Sequence, residues 1–280
     1  MHPFYLRSLA YLGCDMAAND SMVVVTQPID GVAKVTLNRP EKSNALDGNM
    51  IQQLTQVLQQ VADDPSKNAV IITGTGEHFC AGADIAWMKK MAESSYQENV
   101  QDAMQLATLL KLIYNFPKPI IAAVKGATMG GGLGIIACCD VTIASDNSYF
   151  CFSEAKIGLT PSVISPYIIS VMGERSARYY FLTAERFDTK KAVTLNLVQR
   201  MVSDDALEYE VTDFCHRLLK NSPYALEQAK KIIRHVKQEE ISDKLIWYCA
   251  EHLATMRSSS DAQEGLRAFL EKRSPVWGEK

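Results

Sequence analysis

Residues 125–161 read KGATMGGGLGIIACCDVTIASDNSYFCFSEAKIGLTP, and the order of elements that they predict decides the fold class. The apolar run Pro119–Val124 comes just before them and predicts a buried strand. The glycines at 130–132 then predict a turn into a helix that ends at Cys139, and Asp140–Ser145 predicts another strand. A strand, a turn, a helix and a second strand in this order indicate an α/β protein with crossover connections.

The same stretch contains a candidate anion site. A glycine turn at the start of a helix leaves backbone N–H groups without intrahelical partners. A lone acid, Glu154, follows among apolar and small residues, and such surroundings tend to raise the pKa of a carboxyl group. Together these features suggest an anion-stabilising pocket that one acid/base faces. A tight turn without any such role explains the three glycines equally well at this point.

The chain before this stretch continues the α/β pattern. Asp30-Gly31 stands between the apolar runs Met22–Thr26 and Val32–Asn38 and predicts a hairpin. Helical spacing of apolar residues predicts helices over 48–62 and 96–114, and Ala69–Thr73 predicts a buried strand between them. The loop that follows this strand is rich in glycine and small residues, and Asp84 is expected to cap the helix after it.

The chain beyond Pro161 is predicted to be almost entirely helical. Only Leu197–Val202 has the pattern of an extended segment. The predicted helices cover 163–172, 174–184, 189–195, 204–221, 223–238, 242–256 and 261–271. We therefore expect a disordered N-terminal extension over 1–21, an α/β core over 22–203 and a helical C-terminal region over 204–280.

Composition excludes several classes of function. The 280 residues are 47% hydrophobic and 22% charged, as in an ordinary globular protein, and the net charge of −3 offers no electrostatic footprint for nucleic acid. The seven cysteines form no CxxC pair, and the five histidines form no HExxH motif. No apolar run is long enough for a membrane span. We expect a cytoplasmic protein with reduced thiols and no metal.

Two loops present small residues where predicted strands end. They are 79–84 and 129–132, and each opens a helix. Ligands of α/β sheets sit outside the carboxyl ends of strands, so one N–H group from each loop can aim at one oxygen atom. The sequence contains no P-loop and no GxSxG elbow. Cys80 lies close to His78 but is expected to be a small core residue rather than a nucleophile.

Several motifs resemble one known family. They are Arg39-Pro40 with Asn44-Ala45-Leu46, Phe79-Cys80-Ala81-Gly82-Ala83-Asp84, Lys125-Gly126 with Gly130-Gly131-Gly132, Cys139-Asp140, and Phe152-Ser153-Glu154 with Gly158-Leu159-Thr160-Pro161. In this order and spacing they resemble the enoyl-CoA hydratase/isomerase superfamily, also called the crotonase superfamily. The resemblance covers the chain from about Met22 to the C-terminus.

The resemblance implies both a fold and a chemistry. The fold is the crotonase spiral of ββα units, and a helical C-terminal trimerisation region implies a homotrimer or a dimer of trimers. The substrate is an acyl-CoA thioester, and no cofactor is needed beyond the coenzyme A that belongs to the substrate. The backbone N–H groups of Ala83 and Gly131 form an oxyanion hole, in which one donor is worth about 2.7–4 kcal/mol in the transition state. Glu154 matches one of the two glutamates of hydratases.

The resemblance also implies where coenzyme A binds. Lys42 is expected near the CoA phosphates. The backbone around Ala45 and Ala81 is expected to hold the adenine.

The chain departs from the family at Gly134, where hydratases have their second glutamate. A general acid/base group usually contributes roughly 10²–10⁴-fold, so its loss matters. One hypothesis is a hydratase for a branched or carboxylated enoyl-CoA, in which Gly134 makes room and Glu154 acts alone or with a substrate group. A second is a Δ3,Δ2-enoyl-CoA isomerase, which can use one carboxylate. A third is a catalytically weak acyl-CoA-binding member, which Glu154 argues against.

The first hypothesis has further support from resemblance. The segments that carry it are 134–140, 152–158, Ile164-Ser165-Pro166 and Thr183-Ala184-Glu185-Arg186-Phe187-Asp188. They look like the bacterial methylglutaconyl-CoA hydratases of leucine and isoprenoid catabolism. The sequence therefore predicts a lyase that adds water to 3-methylglutaconyl-CoA or a related branched acyl-CoA.

Overall fold

The computed structural model describes residues 21–277. The proposed extension over 1–21 lies outside this range apart from Ser21, and so do the last three residues of the C-terminal region.

Residues 21–277 form nine strands and ten α-helices. The strands are β1 Val23–Ile29, β2 Val32–Leu37, β3 Ala69–Gly74, β4 Ile120–Val124, β5 Ala127–Met129, β6 Val141–Ser145, β7 Tyr149–Cys151, β8 Phe187–Asp188 and β9 Arg200–Val202. The helices are α1 Gly48–Asp63, α2 Ile85–Ala92, α3 Tyr96–Tyr114, α4 Gly131–Cys138, α5 Ser165–Thr183, α6 Thr189–Thr194, α7 Leu207–Leu218, α8 Pro223–Lys237, α9 Asp243–Arg257 and α10 Ser260–Leu270.

The main sheet has six strands in the order β1-β2-β3-β4-β6-β9. The pair β1 and β2 is antiparallel, as the predicted hairpin requires, and every later neighbour is parallel. A second sheet contains β5, β7 and β8, which the sequence did not predict. Each of these strands has only two or three residues, too few for a periodic signal.

Helices cover both faces of the main sheet, which explains its continuous apolar strands. Val70 and Ile72 of β3 belong to the larger core, which includes residues of α1, α3 and α4. Ile71 faces the other way and belongs to the core that α7 completes with Val211 and Cys215. Helix α7 belongs to the predicted C-terminal region, but it packs on strands β4 and β6 of the predicted α/β core. The boundary at 203/204 stays a prediction.

The predicted helices 163–172 and 174–184 are two segments on either side of a break within α5. Gly173 has φ of 75° and ψ of 157°, a conformation that is open essentially only to glycine. Met172 and Ala177 on either side are buried. The turn at Gly173 therefore lets both segments of α5 bury apolar side chains.

A lysine from α8 ties the C-terminal region to the sheet. The Lys230 Nζ donates to Asp140 Oδ2 at 2.5 Å and to the Lys118 carbonyl at 2.9 Å. The same Asp140 oxygen accepts from the Ile120 N–H at 2.8 Å. Asp140 is thus a structural hydrogen-bond acceptor. Burial lowers the pKa of Lys230, and Asp140 opposes this by stabilising the ammonium form.

No helix in the described part of the chain is long and apolar enough to cross a bilayer.

We expect Lys230→Met to lower the free energy of unfolding by about 1–3 kcal/mol, because it removes charged hydrogen bonds but keeps an apolar stem. Urea denaturation measures the change. Lys231→Met is the matched control, because Lys231 is an exposed neighbour that pairs with Glu227 on the same helix. Its expected change is within about 0.5 kcal/mol. Equal losses in the two variants would contradict a specific anchor at Lys230.

Candidate active site

The predicted loop 79–84 lies beside residues 127–132, in which β5 leads into the predicted loop 129–132, beyond the ends of β3 and β4. Residues 127–132 are the second loop of the site. The Cys80 N–H donates to the Ala127 carbonyl at 3.1 Å, and the Cys80 carbonyl accepts from the Met129 N–H at 2.9 Å. These are the rungs of a short parallel ladder. The two loops that the sequence singled out are therefore joined by backbone hydrogen bonds.

The Ala83 N–H faces the side opposite to Leu46. The Leu46 N–H donates to the Gly82 carbonyl at 2.7 Å, and the Leu46 carbonyl accepts from the Asp84 N–H at 2.8 Å. These rungs flank Ala83, so its own N–H points to the other side, where the second loop lies. Within residues 21–277 this N–H has no hydrogen-bond acceptor.

The Gly131 N–H is the counterpart on the second loop. Gly131 is the first residue of α4, where N–H groups lack intrahelical acceptors, and in the described chain its N–H donates to no other group. Gly82 and Gly130 lie against each other, since a Cβ on Gly130 would stand 3.8 Å from the Gly82 Cα. Ala83 and Gly131 each follow this contact by one residue, so their free N–H groups belong to one region.

Glycine is required at both points of this contact. Gly82 has φ of 98° and Gly130 has φ of 47°, in the left-handed region that disfavours other residues. Gly131 is constrained by packing instead, because a Cβ there would stand 2.8 Å from Leu46 Cδ1. The small residues thus allow the loops to approach each other and leave their N–H groups accessible.

Glu154 lies beside the glycine turn. It opens the 3-10 turn Glu154–Ile157, and its Oε1 is 3.3 Å from where a Cβ on Gly130 would stand. Its Oε2 is buried and has no hydrogen-bond partner among the described residues. Burial raises the pKa of Glu154, and only its own backbone N–H opposes the shift. A half-buried carboxyl with a raised pKa at a glycine turn is suited to proton transfer.

Ile164 occupies the space beside Gly134. A Cβ on Gly134 would stand 2.5 Å from Ile164 Cγ2 and 3.2 Å from Leu110 Cδ1. Both side chains are buried. The expectation that Gly134 makes room for the substrate is therefore wrong, because an apolar side chain fills that room. A glutamate at this position would collide with Ile164 unless Ile164 moved.

The residues predicted to bind coenzyme A lie on one edge of the first loop. Lys42 is exposed at the end of a 3-10 turn, and Ala45 is buried. The Ala81 N–H donates to the Ser43 carbonyl at 2.9 Å, so the segments around Ala45 and Ala81 run next to each other. The structure brings these three residues to one side of the site, and their contact with coenzyme A stays a prediction.

Arg39 joins the two carboxylates at the edge of the site, a role that the sequence analysis did not assign to it. Its Nη1 lies 3.0 Å from Asp47 Oδ2, and its Nη2 lies 3.0 Å from Asp84 Oδ2. Asp84 also caps α2, as predicted, by accepting from the N–H groups of Ala86 and Trp87. These bonds and the Arg39 guanidinium lower the pKa of Asp84, and the hydrogen bond from the Trp87 N–H lowers it most. The motif containing Arg39 was visible in the sequence, but Asp84 lies 45 residues further along the chain.

Cys80 is buried, and burial raises its pKa to about 12. The thiol is therefore protonated at neutral pH and is not an activated nucleophile. Among residues 21–277, no group of three or more His, Cys, Asp or Glu side chains is arranged to hold a metal ion.

Comparison with known proteins identifies the family. The family profile described as enoyl-CoA hydratase/isomerase matches residues 28–280. A short-chain-enoyl-CoA hydratase of Clostridium acetobutylicum is 31% identical over 256 residues, which cover 89% of this chain and 95% of that protein.

Solved structures are similar over nearly the whole fold. The crystal structure of an enoyl-CoA hydratase from Shewanella pealeana has a TM-score of 0.89 and 40% identity, and the match covers 92% of this chain and 96% of that one. That of an enoyl-CoA hydratase from Bacillus anthracis has a TM-score of 0.86 and 26% identity, over 93% of this chain and 100% of the other. The predicted α/β crotonase fold is confirmed.

The contact between Gly134 and Ile164 predicts a coupled pair. Gly134→Ala should lower the free energy of unfolding by about 1–3 kcal/mol through overpacking. Ile164→Ala should cost about 2–5 kcal/mol through lost packing. The double variant should lose less than the sum, since Ile164→Ala removes the Cγ2 atom that the new Cβ would strike. Urea denaturation of all four proteins gives the coupling free energy, and strict additivity would contradict the contact.

Proposed function

Because the chain belongs to the enoyl-CoA hydratase/isomerase family, we propose that it adds water across the double bond of an α,β-unsaturated acyl-CoA thioester. One observation carries the proposal. The Glu154 carboxyl, whose pKa is raised, adjoins a glycine turn beside which the N–H groups of Ala83 and Gly131 have no acceptor in the described chain. An acid/base beside free N–H donors matches the needs of addition to a conjugated thioester.

In the proposed reaction, the N–H groups of Ala83 and Gly131 donate to the thioester carbonyl oxygen. Glu154 as carboxylate removes a proton from water, and the water oxygen bonds to C3 of the acyl group. Negative charge then develops on the carbonyl oxygen, where the two N–H groups stabilise it. Glu154 returns the proton to C2, which regenerates the carboxylate. The enzyme needs no cofactor in this scheme beyond the coenzyme A of its substrate.

The packing around Gly134 supports a mechanism with one carboxyl group. Ile164 fills the space in which a second glutamate would stand, so Glu154 has no acidic partner from that position. The acyl group that we propose is 3-methylglutaconyl or a related branched chain. This choice depends on the resemblance of the sequence segments described above, and not on extra space at Gly134.

The alternative function is Δ3,Δ2-enoyl-CoA isomerisation. The same packing favours it as a second candidate, since moving one proton between two carbons needs only one carboxyl group. A catalytically weak acyl-CoA-binding role fits less well. A buried Glu154 Oε2 with no partner within residues 21–277 has an energetic cost that a binding protein does not require.

We also propose that the protein is a homotrimer or a dimer of trimers. The support is the apolar surface of the C-terminal helices. Trp247, Phe269 and Leu270 are 68%, 81% and 79% exposed, although large apolar side chains are usually covered. Lys42 and the backbone near Ala45 and Ala81 are the proposed contacts to coenzyme A.

Glu154→Gln should reduce turnover by roughly 10²–10⁴-fold or more and leave CoA binding nearly unchanged, because glutamine keeps the shape but cannot exchange a proton. Steady-state kinetics and calorimetric titration with coenzyme A measure the two effects. Glu174→Gln is the matched control, because Glu174 is an exposed residue of α5 that pairs with Arg178 on the same helix. A fully active Glu154→Gln enzyme would show that another group transfers the proton.

The same variant should change the pH dependence of stability. A carboxyl group with a raised native pKa stays protonated in the folded protein at pH values where the unfolded chain has already released the proton. Keeping this carboxyl buried therefore costs folding free energy at pH values above the unfolded pKa. The cost grows with pH until the native pKa is reached, and below the unfolded pKa ionisation adds no cost. We expect Glu154→Gln to be more stable than the wild type at neutral pH, with the difference shrinking in acid. Thermal unfolding across pH tests this, and a constant difference would contradict it.

Water addition separates the two candidate reactions. The enzyme is incubated with a straight-chain 2-enoyl-CoA and with 3-methylglutaconyl-CoA, and loss of the enoyl absorbance is followed. A parallel sample receives a 3-enoyl-CoA. We expect hydration, fastest with the branched substrate. Rapid conversion of 3-enoyl to 2-enoyl without hydration of either substrate would replace the hydratase proposal with the isomerase.

A further inference from the structure

The two loops of the site are joined by one hydrogen bond that a side chain provides. The Ala127 N–H donates to the His78 Nδ1 at 3.2 Å. The adjacent rungs are made by the backbone alone, from Phe79 N–H to the Lys125 carbonyl at 2.7 Å and from Cys80 N–H to the Ala127 carbonyl at 3.1 Å. The imidazole therefore stands where a parallel ladder would have a carbonyl acceptor.

The His78 carbonyl does not take this place because it is turned towards Asn44. The Asn44 Nδ2 donates to that carbonyl at 2.7 Å and to the Thr75 carbonyl at 2.9 Å. Asn44 is fully buried, and its Oδ1 accepts from the Arg39 N–H at 2.8 Å. The side chain of Asn44 thus holds the loop in a shape that would leave the Ala127 N–H without a partner.

The turn at Gly126 is shaped around the same imidazole. A Cβ on Gly126 would stand 2.6 Å from His78 Nδ1 and 2.0 Å from the Glu77 carbonyl oxygen. Gly126 also has φ of 59°. The chain between β4 and β5 can therefore pass close to His78 only because this residue is glycine.

The bond requires one particular state of the ring. An Nδ1 atom that accepts from an N–H group carries no proton, so the ring is the neutral form with its proton on Nε2. A proton on Nδ1 would make this atom a donor that faces the Ala127 N–H donor, so the hydrogen bond could not form. The ring of Tyr149 packs edge-on against the imidazole, and Arg186 stacks on Tyr149.

We propose that His78 is a positioning residue for the oxyanion hole. Its Nδ1 ties loop 79–84, which carries Ala83, to the segment that leads through β5 to Gly131. Without this acceptor the Ala127 N–H is unpaired, and the alignment of the two donors depends on the backbone rungs alone. The inference depends on the proposed role of Ala83 and Gly131, whereas the hydrogen bond itself does not.

Substitution by asparagine or alanine tests the acceptor directly. The Oδ1 of asparagine is at the same branch point as Nδ1 and can accept the same bond, but it does not titrate. We expect His78→Ala to lower kcat about tenfold, as for the loss of one hydrogen bond, with a smaller effect on KM. His78→Asn should recover most of kcat. Failure of asparagine to recover activity in a folded protein would overturn the proposal.

A bound chromophore separates this proposal from the proposed function. A 2,4-dienoyl-CoA absorbs further to the red when hydrogen bonds polarise its thioester carbonyl. It is bound to Glu154→Gln protein with and without His78→Ala and His78→Asn. We expect a red shift that alanine reduces and asparagine restores. No shift in the presence of His78 would contradict the oxyanion hole and hence both proposals, whereas a shift that His78→Ala leaves unchanged would contradict only the role of His78.

Discussion

The arrangement of the site depends on the parallel pairing of two loops beyond the ends of β3 and β4. The rungs between Cys80 and the Ala127 and Met129 backbone hold the loops in register. The rungs to Leu46 on the other side turn the Ala83 N–H towards the second loop. Since every buried backbone N–H needs an acceptor or water, two neighbouring N–H groups with no acceptor among residues 21–277 are suited to bind a ligand.

Packing determines the surroundings of the carboxyl group in the site. Glu154 lies next to the same glycine turn, and burial rather than a charged neighbour raises its pKa. At Gly134, where a second carboxyl group is expected, the Ile164 side chain occupies the space. The chemistry that we propose therefore uses one carboxyl group beside N–H donors that have no acceptor among residues 21–277, with an apolar contact at Gly134.

The elements that support the site are tied down by partners distant in sequence. Arg39 bridges Asp47 and Asp84 at one edge, and Lys230 reaches Asp140 from the C-terminal helices. Asp140 lies two residues beyond the end of α4, so Lys230 anchors the C-terminal region next to the helix that the glycine turn begins. The sequence marked Asp84 as a helix cap, but the basic partners of Asp84 and Asp140 lie 45 and 90 residues away along the chain.

By itself the sequence determined the hairpin, the parallel strands, the helices after them, the glycine turn and the isolated acid, because hydrophobic period, caps and glycine are local signals. The family followed from motifs in order. Only the tertiary structure decided what adjoins Gly134, where the Ala127 N–H finds its acceptor, and that two- and three-residue strands form a second sheet. The reason is that these features depend on side chains brought together from separate segments, such as Ile164 on Gly134, and no local pattern records such a meeting.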